Sequence, residues 1–161
     1  MRRAAEADLR EMGQMAGALV RQHHAKNPDR FLLVDRVEEG YASWFHRELA
    51  RAAARLFVAE RGGELVGYAY GTLEGRDWNL LLDAHGAVHD IFVVESARRD
   101  GVGKALLDAL VSELERMGAP RILLSTMVDN HAAQRLFASA GFLPTMLEMT
   151  RVGSTTPPAR R

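Results

Sequence analysis

The sequence predicts a mixed α/β fold built on one central sheet, and three observations carry that prediction. The apolar period changes along the chain, from three- and four-residue steps near the N-terminus to short branched and aromatic runs after Arg55, which are the signatures of helices and then strands. The second half reads strand, helix, strand, helix, strand, an order that demands at least one parallel pair joined by a helical crossover. The chain is 161 residues long, without an internal repeat or a linker-like stretch, which makes about one domain with a single core. Its boundaries are expected at residues 1–152, with residues 153–161, which carry two prolines and no apolar face, expected as a disordered tail.

From Leu9 to His23 the positions Leu9, Met12, Ala16, Leu19 and Val20 trace one face of a helix, stopped by Asn27, Pro28 and Asp29. His23 and His24 then fall at a helix end, and Met12 and Met15 read as core filler. A short apolar run, Phe31 to Val34, and a loop with Asp35, Glu38, Glu39 and Gly40 lead to a second helix over Tyr41–Ala54, where Trp44 and Phe45 divide between core and pocket wall. Leu56–Glu60, the turn Arg61-Gly62-Gly63 and Leu65–Tyr70 make a β-hairpin. A polar stretch from Glu74 to Gly86 precedes a strand over Val88–Val94. The Val102, Leu106, Leu110, Leu114 stripe marks a helix over Val102–Met117, ended by Gly118 and Pro120. Ile122–Leu124 is a buried strand; Asn130 caps a short helix that Gly141 closes; Leu147–Val152 supplies a last strand, with Met146 and Met149 as core filler.

Composition removes several functions. Lys and Arg number 21 against 21 Asp and Glu, so neither a broad basic face for nucleic acid nor a polybasic one for membranes is expected. No cysteine means no disulfide, no thiolate zinc site, no iron–sulfur ligation and no thiol nucleophile. His85 and His89 stand four apart in a loop-to-strand region, a spacing that does not converge two imidazoles, so no metal is expected. No apolar run reaches the roughly 18 residues of a membrane span, and Glu6 stands where a signal peptide would begin its apolar stretch. From these absences a cytoplasmic protein is expected.

Chemistry concentrates at a strand-to-helix junction, Val93 to Lys104. Bare amides at a helix start, with the positive end of the dipole behind them, bind phosphate, and glycine lets an anion approach the main chain. A P-loop would need glycine where Arg98 stands and Ser or Thr where Ala105 stands, and a dinucleotide fingerprint would need glycine at Leu106. The pattern present is RxxGxG, at Arg98, Gly101 and Gly103, and glycines that merely turn the chain into a helix would give it too. One strand later comes NxxAxxLFxxxGF, at Asn130, Ala133, Leu136, Phe137, Gly141 and Phe142.

Together, at this separation, the two clusters resemble the GNAT superfamily of acyl-CoA-dependent N-acetyltransferases over essentially residues 1–151. The resemblance implies a mostly antiparallel mixed sheet, flanked by helices and splayed into a V after the motif-bearing strand, with acetyl-CoA as cosubstrate in the split. It places the pantetheine arm along Ile91, Val93 and Val94, the pyrophosphate on Arg98, Arg99, Gly101, Val102, Gly103 and Lys104, and Asn130, Ala133 and Phe137 on the far side. It also implies N-acetylation of an amine, with a homodimer among the assemblies it allows. Without cysteine no thiol acyl-enzyme can form, so transfer is expected to be direct.

The segment Val88–Val93 looks like the strand of polyamine- and thialysine-type members, with His89 in place of a glutamate and Asp90 retained. The resemblance makes these the catalytic pair: His89 as base, Asp90 orienting it or binding the ammonium group. Strand alternation predicts instead that at least one of them points to solvent. Phe137 stands where the family commonly has tyrosine as acid, so the thiolate leaves unprotonated or Ser139, Tyr68, Tyr70 or water substitutes. The resemblance puts the segments that carry Asp35, Glu38, Glu39, Glu74, Asp77 and Asp90 on the acceptor side, which implies a small cationic amine as acceptor. A protein or peptide N-acetyltransferase is the enzymatic alternative, and a non-catalytic acyl-CoA-binding module the other.

Overall fold

The computed structural model describes residues 1–153. In chain order it contains β1 (Arg2–Arg3), α1 (Leu9–Lys26), α2 (Val37–Ala50), β2 (Ala54–Arg61), β3 (Glu64–Glu74), β4 (His85–Val93), α3 (Val102–Arg116), β5 (Ile122–Leu124) and α4 (His131–Ser139). The five strands lie in one sheet in sequential order, antiparallel except for the parallel pair β4 and β5. The helix crossing between those two is α3, as the strand–helix–strand order requires.

The sheet is covered on both faces. Alternation along β3 sends Tyr68 and Tyr70 to one face, where they meet Met12, Met15 and Ala16 of α1 and Phe45 of α2. Ala69 and the β4 residue Val88 face the other side, against the Leu106, Leu107, Leu110 and Leu114 stripe of α3. Helix α3 sits close because β3 carries glycine beneath it: a Cβ on Gly71 would lie 2.6 Å from the Ala87 carbonyl oxygen and 3.1 Å from a Leu110 methyl.

Several boundaries move. Helix α2 spans Val37–Ala50 rather than 41–54, because Ala54 is drawn into the sheet opposite Thr72. The run Phe31–Val34 forms no regular element, and Leu32, Leu33 and Val34 are exposed. The strand expected at Leu147–Val152 is absent: residues 142–153 form no helix or strand, and Leu147, Met149 and Val152 are 66%, 85% and 60% exposed. Met146 and Met149 accordingly face solvent rather than the core, unlike Met12 and Met15, which are buried. An apolar pattern gives a segment the capacity to form a strand, but a ladder needs a neighbour, and β5 is only three residues long. The tail expected at 153–161 lies, from residue 154 onward, outside the described residues.

Candidate active site

Strand β4 outruns its parallel neighbour. Pairing with β5 covers Gly86↔Ile122, Ala87↔Leu123 and Val88↔Leu124 and then stops, leaving His89–Val93, among the described residues, with no strand beside them on that edge. This is the expected splay. The Val94 N–H donates to Val66 O (3.0 Å), which sets the phase of the β3–β4 ladder: Phe92 and Val94 turn their main-chain groups toward β3, and Ile91 and Val93 turn theirs to the open edge. Arg98 confirms that phase, its Nε donating to Val93 O at 2.9 Å. Val94 differs from the other expected arm-binding residues. Its C=O accepts from Ala97 N–H, so both its main-chain groups are committed, and its side chain turns into a groove shared with Met15, Ala18 and Phe92.

At the end of β4 a 3-10 turn, Glu95–Ala97, feeds the start of α3. Ala105 N–H is the first amide of that helix to find a main-chain acceptor, Gly101 O at 3.0 Å; among the described residues the amides of 99–104 make no hydrogen bond. Gly101 has φ +79° and Arg99 φ +68°, so two left-handed residues turn this run of amides, and the non-glycine one carries strain of about 1 kcal/mol or more. A Cβ on Gly103 would stand 3.5 Å from Leu136 of α4 and 3.7 Å from Val93, so α3, β4 and α4 converge there. The Asn130 side chain caps α4 by accepting from Ala133 N–H (3.2 Å), which gives the asparagine a local structural role. Phe137 packs edge-on against Phe142. Free amides at a fifteen-residue helix start, a bare glycine and an unpaired strand edge fit a thioester carried on a pantetheine arm with a pyrophosphate.

The acceptor side is set by a β-bulge. The β3–β4 register runs Tyr70↔Asp90 and then Gly71↔Val88, so His89 is the extra residue and two successive β4 residues share one face. Alternation would have sent one of them away; instead both contact the even-numbered residues of β3. His89 stacks on Tyr70 (centroids 5.0 Å apart) and its Nε2 lies 2.7 Å from Thr72 Oγ1. Asp90 accepts from the Tyr68 hydroxyl at 3.2 Å. Asp90 therefore bonds Tyr68 and does not orient His89, contrary to one of the two expected roles. Trp44 and Phe45 of α2 pack edge-on against Tyr70, Phe45 also meets Tyr68 edge-on, and Tyr41 packs on Trp44 and Phe45.

Desolvation shifts both groups toward neutrality, Asp90 as the more buried of the two and His89 with 39% of its side chain still exposed. Desolvation raises the Asp90 carboxyl from 3.8 to about 6, against a smaller lowering by the Tyr68 hydrogen bond. It lowers the His89 imidazole below its ordinary 6.5, with Glu74 and Glu48 pulling the other way. Tyr41 is pushed up to about 12 by burial and then by the Asp90 charge, so it stays a neutral hydroxyl.

Of the acids expected to border the acceptor, Glu74 and Asp90 reach this face. Glu38 pairs with Arg21, Glu39 with Arg36, and Asp77 accepts from the amides of Asn79 and Leu80 in its own loop. Glu48 was missed: it is buried and accepts the Tyr70 hydroxyl proton at 2.7 Å. The spacing Tyr41, Phe45, Glu48 on one helix face was the available signal. None of the expected substitute acids stands free, since Ser139 donates to Leu136 O, Tyr68 to Asp90 and Tyr70 to Glu48.

The model of the acetyltransferase (GNAT) family matches residues 19–142. An N-alpha-acetyltransferase of Sulfurisphaera tokodaii is 33% identical over 131 residues, covering 76% of this chain and 78% of that protein. Among solved structures, a mutant of the BH1408 protein of Bacillus halodurans aligns with a TM-score of 0.80 at 18% identity, over 94% of this chain and 97% of that one. An aminoglycoside N-acetyltransferase in complex with CoA aligns with a TM-score of 0.75 at 18% identity, over 95% of this chain and 93% of that one. At these identities the structural likeness is one of fold.

Proposed function

Because the chain belongs to the GNAT family of acetyltransferases, and is an acetyl-CoA-dependent N-acetyltransferase, we propose that its acceptor is a small cationic amine received on the α2 face of the sheet. The observation that carries this reading is the bulge, which gathers an imidazole and an acid, His89 and Asp90, beside the aromatic rings of Tyr41, Trp44 and Tyr70. Rings and a carboxylate without a cationic partner are what a desolvated ammonium group needs. Residues 1–152 are read as a single acetyltransferase domain.

Acetyl-CoA supplies the acyl group as an activated thioester. Ile91 and Val93 would hold its arm along the open edge of β4, and the amides of residues 99–104, with Arg98, Arg99 and Lys104, its pyrophosphate. Asp90 receives the ammonium, and His89, neutral at pH 7, takes the proton that the nitrogen must lose before it attacks. The Val93 N–H on the open edge offers a donor where negative charge develops on the carbonyl oxygen. The N–C bond forms, the C–S bond then breaks and the thiolate leaves as such, which a thiol pKa of about 8.5 allows; the second proton that the acylated nitrogen sheds passes to water.

Free CoA release from acetyl-CoA, measured with spermidine, kanamycin, amino acid amides and peptides with free N-termini, tests the reading. Turnover of the cationic small amines with loss of at least about a hundredfold in His89→Ala supports it. The relative from Sulfurisphaera tokodaii, an N-alpha-acetyltransferase, favours a peptide amine as second reading. Acetylation of peptides alone would replace the first reading with that one.

A further inference from the structure

His89 is held by groups that the reaction as described does not use. Thr72 is fully buried in the middle of β3, and its hydroxyl touches two partners: His89 Nε2 at 2.7 Å and a Glu74 carboxylate oxygen. A hydroxyl has one proton to give, and a carboxylate has none. Both contacts are satisfied only if Thr72 donates to Glu74 and accepts from His89. That arrangement puts the imidazole proton on Nε2 and leaves Nδ1 as a bare lone pair. Strand period supplies the geometry, since Tyr70, Thr72 and Glu74 lie two apart on one face of one strand. The bulge in β4 brings His89 onto that same face.

We propose that Thr72 and Glu74 are positioning residues, a hydrogen-bonded relay that fixes the His89 ring and tautomer so that Nδ1 is the base. This rests on the reading of His89 as base given above. The charged and titratable groups that face His89 are Glu74 and Tyr70 of β3, Glu48 of α2, Arg51 after it, and His85 of β4. Arg51 holds the far end together, its guanidinium lying 3.3 Å from Glu48 and 3.7 Å from Glu74. In the imidazolium both nitrogens donate, and the Nε2–H bond to Thr72 strengthens against the Glu74 charge. The relay therefore favours the form that His89 adopts after taking a proton.

Two arms test the proposal. In the first, histidine-labelled protein is titrated by NMR without substrate, the His89 signals being identified by their loss in His89→Ala. The parent should hold His89 as the Nε2–H tautomer. Thr72→Val should lower its titration midpoint and let the Nδ1–H form appear, and Thr72→Ser should restore the parent behaviour. An unchanged midpoint and tautomer in Thr72→Val overturns the relay. In the second arm, with acetyl-CoA and spermidine, Thr72→Val should cut kcat about tenfold or more, shift the low-pH limb of kcat/KM with the NMR midpoint, and leave KM for acetyl-CoA unchanged; Thr72→Ser should recover most of the rate. Loss in His89→Ala with a parent-like Thr72→Val overturns the relay and leaves the base in place. Parent-like kcat in His89→Ala, or no turnover of spermidine, kanamycin or amino acid amides by the parent, removes the reading beneath it.

Discussion

Asp90 places its charge where the surroundings favour the neutral form, and stability and function should pull on it in opposite directions. Its carboxyl sits at about 6 rather than 3.8 because burial desolvates it and one hydroxyl, Tyr68, is its hydrogen-bond partner. An acid whose folded pKa lies above its unfolded value binds more protons when folded. Between those two values the folded protein loses stability as pH rises, and above the upper one the loss is complete. Asp90→Asn keeps an acceptor for Tyr68 and removes the charge. The variant is expected to be more stable than the parent at pH 7, by about 1–3 kcal/mol, with the difference vanishing below about pH 4. Denaturant unfolding of both proteins across that range measures it, and a difference independent of pH would disprove the assignment. The same substitution should raise the KM for a cationic amine. Stability surrendered to keep a carboxylate charged and without a cationic partner is a mark of a binding role.

At the scale of elements, two devices make the site: the bulge between β3 and β4, and the bare start of α3. Gly71 lies at the register shift, and its missing Cβ is what lets β4 and Leu110 close over it. Gly71→Ala would press within 2.6 Å of a backbone oxygen, so the strands must part where His89 and Asp90 are aimed. It should cost about 1–3 kcal/mol of stability, read as a lower Tm, and lower kcat for the amine beyond what the lost stability accounts for. A variant that keeps the parent Tm and kcat would show that the bulge tolerates a wider gap. The α3 start behaves differently, because Gly103 has ordinary room for a methyl group. Gly103→Ala should fold and bind CoA, whereas Gly103→Glu should fold and lose CoA binding, checked by calorimetry; tight binding by the glutamate variant would misplace the phosphates. The α3 start was legible in sequence because its signal is local, an arginine and two glycines at set spacings. The bulge was not. Strand alternation predicts opposite faces for His89 and Asp90, and only the tertiary pairing of Gly71 with Val88 reveals that they share one.

For the molecule as a whole, composition gave the balance of 21 cations and 21 acids, while pairing decides what that balance does. The apolar residues at Leu147, Met149 and Val152 illustrate the same limit, since a pattern states what a segment could bury and not whether a neighbour exists to cover it. Charges escape sequence reading for the same reason. A molecule of zero net charge has no long-range field to gather a polyanion, and at physiological salt fields fade within about 8 Å, so a pyrophosphate seated as proposed on the α3 amides would depend on the cations beside them. Three stand there, but they are not equally free. Arg98 is spent in part on Val93 O, and Lys104 donates to Asp108 one turn along at 2.5 Å. Asp100, in the same loop, is neutralised by Arg61 at 2.9 Å. Asp108 thus works against the phosphate site twice, by holding Lys104 and by adding negative charge to the first turns of α3. Asp108→Asn should lower the KM for acetyl-CoA, by up to about fivefold at low salt, since exposed pairs of this kind are weak. The gain should shrink toward nothing as salt rises toward 1 M, where fields reach only about 3 Å, and kcat should not change. A KM that rises, or a gain that persists at high salt, would mean that Lys104 acts through its packing and not its charge.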